Sequence, residues 1–323
     1  MDYHAAMETA ILGRIVRRLA EEAGFDRCGI AAADRIGRAE YLKSWLDSGR
    51  SGSMAYMKRY FEERVDPRVL LPGAQSVIVT ALSYKQPSPP PPRALDVPTG
   101  RVAMYAWGQD YHKVVKRKLF TMLDALRERV DTPFEAKACV DTAPLLEREF
   151  AAAAGIGWIG KNTMVLHEKL GSYFFIGAIV TTLVIDPDER SIDHCGTCTR
   201  CLDACPTNAF PSPYEMDASR CISYLTIERR DAIPAEFHAA MGDWIFGCDI
   251  CQEVCPFNRD APDSKEPAFA VRPPAPRPPL GEIVEWEIDD YRDQLSGSAM
   301  KRAKLPMLQR NARIALDNAS RAS

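Results

Sequence analysis

The sequence predicts a mixed α and β body, then a small cysteine-rich metal-binding segment, then a helical tail. Three observations carry this reading. Strand-like and helix-like patterns alternate over residues 1–186, eight cysteines crowd between 195 and 255, and the chain turns helical after a second proline-rich stretch. The expected units are 1–186 for the body, 187–260 for the cysteine segment and 261–323 for linker and tail. The first break falls in the turn Asp186-Pro187-Asp188-Glu189.

Ile11, Leu12, Ile15, Val16 and Leu19 fall on one helical face, so residues 7–23 read as an amphipathic helix stopped by Gly24. Residues 76–84 (SVIVTALSY) read as a buried strand, followed over 87–98 by a proline-rich surface loop. Residues 112–130 look helical, 134–140 strand-like, and 143–154 strongly helix-forming. Residues 172–185 are aromatic and β-branched and read as a strand. In the tail, Leu305, Leu308, Ala312 and Leu316 make one apolar face.

The 323 residues are 46% hydrophobic and 26% charged, which argues against disorder. The net charge of −3 leaves nucleic-acid binding only to local basic patches. Two exist, with net charge +4 over 101–118 and +5 over 297–323. No stretch reaches the ~18 apolar residues of a membrane span, and no signal peptide is visible. A cytoplasmic monomer without membrane contact is expected.

The ten cysteines are unevenly placed. Cys28 and Cys139 stand alone and read as small buried residues. Cys195-x2-Cys198-x2-Cys201-x3-Cys205-Pro206 matches the two-cluster bacterial ferredoxin pattern, in which the fourth cysteine ligates the other cluster. Cys248-x2-Cys251-x3-Cys255-Pro256 repeats its ending but lacks one ligand, which Cys221 can supply. One [4Fe–4S] cluster then takes Cys195, Cys198, Cys201 and Cys255. The other takes Cys205, Cys221, Cys248 and Cys251. Structural zinc also uses C-x2-C pairs, but has no use for the third cysteine and the Cys-Pro ending.

Three tempting motifs fail on context. Gly155-Ile-Gly157-Trp-Ile-Gly160 has the spacing of a dinucleotide loop, but a helix-forming stretch precedes it where a strand is required. With Lys161 it nearly makes a P-loop, yet Asn162 stands where a Ser or Thr must hold magnesium. Asp110-Tyr-His112 begins the D-x-H-x-x-G of base-off cobalamin mutases, but Val115 replaces the glycine; His112 reads as a polar residue at a helix start. Taken locally, Asp141 reads as a helix N-cap, and Arg64 as the partner of Glu62 or Glu63.

Seven blocks occur in order: Arg64-Val-Asp-Pro-Arg68, Val140-Asp-Thr-Ala-Pro-Leu-Leu-Glu147, Gly157-Trp-Ile-Gly-Lys-Asn-Thr163, Gly171-Ser-Tyr-Phe-Phe175, the first cysteine motif, Arg220-Cys-Ile-Ser-Tyr-Leu-Thr-Ile-Glu228, and Phe246-Gly-Cys-Asp-Ile-Cys-Gln-Glu-Val-Cys-Pro256. Over nearly the whole chain this resembles the epoxyqueuosine reductases. The resemblance implies an α+β fold: a nitroreductase-like scaffold close to the cobalamin domain of reductive dehalogenases, beside a ferredoxin-like two-cluster domain and a short helical C-terminal tail where many members carry HEAT-like helices. It implies reduction of epoxyqueuosine to queuosine at the wobble position of tRNA, by cobalamin fed through two [4Fe–4S] clusters from an external electron donor. It makes Asp141 the proton donor, with a pKa that must be raised for that task. It places Arg64, Asp141, Thr163, Ser172, Phe174 and Ser223 at the cobalamin. A bare electron carrier and another corrinoid reductase are the alternatives: the long body argues against the first, the absence of an export signal against the second.

Overall fold

A computed structural model describes residues 3–87 and 97–322, so most of the expected proline-rich loop at 87–98 lies outside the described residues. Its strands are β1 Arg27–Ala32, β2 Ser76–Ser83, β3 Arg101–Val102, β4 Ala136–Cys139, β5 Trp158–Ile159, β6 Val165–Leu166, β7 Phe174–Thr181 and β8 Trp244–Phe246. Four of them form an antiparallel sheet in the order β1-β2-β7-β4. Helices cover both faces of that sheet. Leu19 of helix α1 (Tyr3–Glu22) and Leu119 of helix α2 (Tyr111–Arg129) pack with Ile30, Ile78 and Ile179 on one face. Phe150 and Ala151 of helix α3 (Glu147–Ala153) pack with Val77, Val79 and Val180 on the other. Burial on both sides explains why β2 is a continuous apolar run rather than an alternating one: all eight of its residues are buried.

β2, β4 and β7 fall where the pattern puts strands, whereas β1 and the short β3, β5, β6 and β8 lie outside it. The helix expected over 143–154 is shorter, because the chain from Val140 to Leu146 stays irregular and α3 starts only at Glu147. Asp141 is therefore not its N-cap. Its backbone is left-handed (φ 47°), a conformation Asp tolerates better than most residues.

The C-terminal segment is built into the fold. The proline-rich stretch is pinned to β3 by Gly100 N–H to Pro278 O (2.9 Å) and Val102 N–H to Pro276 O (3.2 Å). The helical tail is broken into pieces, including α5 (Leu280–Glu285) and the long α6 (Leu305–Ala322). Leu308 and Ala312 of α6 are fully buried and belong to the same hydrophobic cluster as α1, α2 and the sheet. Asn311, also fully buried, donates to Thr226 O (2.9 Å) and Ile245 O (2.8 Å). Arg310 binds Leu225 O, Arg229 O and Asp231 O. The tail thus buttresses helix α4 (Ile222–Ile227), which follows Cys221 directly.

Candidate active site

The cysteine segment folds its eight thiols into two neighbourhoods. Cys201 feels Cys195, Cys255 and Cys198, and Cys255 feels Cys195 and Cys198. Cys248 feels Cys221 and Cys205, while Cys251 feels Cys221 and Cys248 most and Cys201 least. The crossover spacing leads one to expect groupings of this kind. Among the described residues, no three His, Cys, Asp or Glu converge as single-ion ligands; a cubane holds its four thiolates further apart than one ion does. Burial pushes the Cys201 thiol up to about 11 and those of Cys248 and Cys251 higher still. At neutral pH such thiols ligate only beside compensating positive charge, which cluster iron supplies. The donor set therefore fits two iron–sulfur clusters.

Rings in contact connect the second neighbourhood to Asp141. Tyr84 and Tyr173 lie beside Cys251 and Asp249. Tyr84 packs on Phe175 (centroids 4.4 Å apart), Phe175 stacks on Tyr111 (4.2 Å) and Tyr111 on His112 (4.0 Å). His112 Nε2 then lies 3.1 Å from Asp141 Oδ2, and its Nδ1 2.7 Å from Asp110 Oδ1. Asp110 also caps α2 through His112 N–H. His112 does start a helix, but its ring joins two carboxylates.

This arrangement corrects the expected pKa of Asp141. Desolvation by the surrounding protein raises it most, but the bond and charge of His112 together with Tyr111 and Arg302 outweigh that, so the pKa is lowered. Burial lowers His112; its bonds to Asp110 and Asp141 overcome this and push it up to about 9. At neutral pH the proton therefore rests on His112, one hydrogen bond from Asp141.

The other expected contacts divide. Arg64 does not pair with Glu62, which binds Arg35 instead. It is 8% exposed, its Nε has no partner, and its guanidinium lies 5.9 Å from the Tyr56 ring. Thr163 has φ 64°, a strained conformation for a β-branched residue, and its carbonyl accepts from Arg148 (2.7 Å). Ser223 is half-buried and gives its backbone N–H to the Cys221 sulfur. Ser172 and Phe174 depart from expectation. The Ser172 hydroxyl is spent between Gln252 (2.8 Å) and Asn258 (2.9 Å), joining body to cysteine segment. Phe174 is packed into the core against the α3 layer.

Cobalamin bristles with amide side chains, so its site needs buried polar atoms left over from folding. Arg64 Nε and Glu147 Oε1 are two such atoms, and Asn162 Nδ2 is a third. An unmet buried polar atom costs ~1–3 kcal/mol, which a ligand that supplies the partner recovers. Arg64 faces Tyr56, which feels Asp141, and Glu147 feels Asp141 directly. The residues present fit such a ligand.

Residue patterns passed over Tyr56 and Tyr111, and placed Arg302 only in the basic patch over 297–323. Arg302 is gripped by both Glu228 oxygens (2.9 and 2.8 Å) and lies 5.8 Å from the Tyr56 ring. Only the Asp110-Tyr-His112 triplet carried a signal, and it failed as a motif.

Known proteins agree with this geometry. Residues 194–258 match the family described as 4Fe-4S double cluster binding domain, and residues 64–142 the family described as epoxyqueuosine reductase QueG, DUF1730. The epoxyqueuosine reductase of Leadbetterella byssophila is 42% identical over 92% of this chain and 95% of its own length. That of Pseudomonas aeruginosa is 39% identical over 97% of this chain and 87% of its own. A crystal structure of epoxyqueuosine reductase with an epoxyqueuosine-modified tRNA-Tyr stem loop superimposes with TM-score 0.88 at 32% identity, covering 95% of this chain and 81% of that one. A Bacillus subtilis epoxyqueuosine reductase whose catalytic loop is swung out of the active site gives TM-score 0.88 at 31% identity, over 95% and 82%. Spanning the body, both cysteine neighbourhoods and the tail, these similarities show that the chain belongs to the epoxyqueuosine reductase family.

Proposed function

We infer that this chain reduces the epoxide of epoxyqueuosine to an alkene in the wobble nucleoside of tRNA, with cobalamin and two [4Fe–4S] clusters. The observation that carries this is the likeness, over 95% of the chain, to an epoxyqueuosine reductase structure that holds an epoxyqueuosine-modified tRNA stem loop.

Opening the epoxide to an alkene consumes two electrons and two protons and releases water. Cys195, Cys198, Cys201 and Cys255 would hold one cluster, and Cys205, Cys221, Cys248 and Cys251 the other; such clusters, when bound, would supply one-electron transfer. Cobalamin, when bound, supplies the centre where two such electrons are gathered for the substrate. Arg64 and the segments of Thr163, Ser172–Phe174 and Ser223 hold it. Asp141 delivers the proton to the epoxide oxygen. His112, one hydrogen bond away, is the store that refills it, and Tyr111 orients the carboxylate.

Part of the basic surface is committed elsewhere: Arg101 pairs with Glu253, Lys118 with Glu266 and Arg302 with Glu228. Lys113, Lys116, Arg117, Lys304 and Arg313 remain for tRNA phosphates. Among the described residues no helix is long and apolar enough to cross a membrane. The reading is of a monomer acting in the cytoplasm.

The test is an anaerobic assay with epoxyqueuosine-containing tRNA, cobalamin and a low-potential reductant, followed by nucleoside analysis. Queuosine is expected. A fully loaded protein that leaves epoxyqueuosine untouched would overturn the reading.

A further inference from the structure

The stretch that failed as a nucleotide loop lies against the first cysteine neighbourhood. β5 and β6 form a hairpin closed by Thr163 N–H to Gly160 O (2.8 Å) and Gly160 N–H to Met164 O (2.8 Å). Its glycines serve close approach. A Cβ on Gly157 would sit 2.1 Å from Leu166 O, and one on Gly160 would sit 2.0 Å from Leu166 Cδ1 and 3.5 Å from Cys195 Sγ. The turn therefore touches the cysteine loop and delivers three groups to it. Trp158, 3% exposed, points its indole N–H at Cys195 Sγ (3.5 Å). The backbone N–H of Lys161 also bonds the Cys195 sulfur. The Lys161 ammonium, on a residue 8% exposed, donates to Gly196 O (2.6 Å) and Cys198 O (3.0 Å).

Cys195 is unusual in this. The hydrogen bonds to Cys205, Cys221, Cys248 and Cys255 come from within the cysteine segment. Reduction adds one negative charge to a cluster. An ammonium on the ligand loop and N–H dipoles at its sulfur stabilise that charge, and burial of Trp158 and Lys161 limits screening by water and salt. Asp193 opposes the effect, but it is exposed and bonds Cys195 N–H (2.7 Å) and the Tyr214 hydroxyl.

We propose that Trp158 and Lys161 form a potential-setting clamp that makes the outer cluster, that of Cys195, Cys198, Cys201 and Cys255, easier to reduce than it would otherwise be, the inner cluster being that of Cys205, Cys221, Cys248 and Cys251. This rests on the two-cluster reading above. The experiment is a redox titration of the reconstituted full chain followed by electron paramagnetic resonance, with the outer signal assigned by its change in Cys198→Ser. In Lys161→Met the ratio of reduced to oxidised outer cluster at fixed potential falls ~tenfold, about 59 mV for one electron. In Trp158→Phe it falls less, Lys161→Arg stays near wild type, and the inner cluster does not move. Unchanged ratios in Lys161→Met and Trp158→Phe, or equal shifts of both clusters, would overturn the clamp. If Lys161→Met fails to assemble the outer cluster, Trp158→Phe decides alone. A wild-type protein lacking two cubane signals defeats the two-cluster reading instead, and is distinguishable by its iron content.

Discussion

The two cysteine groups share a spacing rule but not a setting. Around Cys195 and Cys198 the loop is open: Gly196, Thr197, Thr199 and Arg200 are exposed, and the body reaches out to it only through Trp158 and Lys161. Around Cys221, Cys248 and Cys251 the chain is closed: Ile222, Leu225, Phe246, Asp249 and Gln252 are buried, and α6 braces them from behind. The open group faces the solvent. The closed group faces the ring stack that ends at His112 and Asp141. Under the proposed function the open group would take electrons in and the closed group would pass them on, and what distinguishes the two is what the rest of the chain packs against each.

The inner end of that comparison should prove the more sensitive. Asp141→Asn keeps both clusters but loses turnover by roughly 10²–10⁴-fold, the usual worth of a positioned acid; normal queuosine formation would remove the proton-donor role. Next are paired ligand deletions. Cys198→Ala and Cys251→Ala should each cost about half the iron, but only the inner deletion should also lower the melting temperature. Equal melting curves would break the distinction between open and closed groups.

His112→Gln should reduce kcat about tenfold, as loss of a proton store does, and abolish an alkaline limb. The sign follows from its raised pKa. Below about 9 His112 holds its proton and supplies Asp141; as pH rises through about 9 the proton and the rate are lost. The stability of the Asp110–His112–Asp141 chain follows the same course, complete below the ordinary histidine value of 6.5 and lost through about 9. A rate profile flat across that range in the wild type would count against the store.

Asn311→Leu strands the Thr226 and Ile245 carbonyls and should cost ~2–3 kcal/mol in denaturant unfolding. A negligible loss would mean that the tail does not brace the inner group. The smallest effect belongs to the outer side. Thr163→Gly relieves the left-handed strain of the hairpin and should stabilise by ~1 kcal/mol. A destabilised variant would show that the threonine side chain, not the turn, holds the position.

Much of the fold was legible in the residues. Periodicity located α1, α2, β2 and β7, because a helix face and a buried strand are written into a dozen consecutive positions. The expected ligand sets rest on the same short range: a cubane is wrapped by one short loop, so residue spacing limits which thiols can meet, and Cys221, assigned by counting ligands, acts electrostatically on Cys248. By contrast, Asp141 was expected to cap a helix and to have a raised pKa. Its left-handed backbone and its bond to a histidine 29 residues earlier reverse both.

The sequence by itself determined the main elements and, through ordered blocks, the family, and it set the expectation of two groups of ligands. Only the tertiary structure decided that the proton rests on His112, that Ser172 joins body to cluster segment, that Gly160 and Lys161 serve a cysteine sulfur rather than a phosphate, and that the tail is part of the core. The physical reason is range. Periodicity and chelation act between residues a few positions apart. The charge on Asp141 and the field at Cys195 come from groups brought close only when the sheet, the hairpin and α6 pack together.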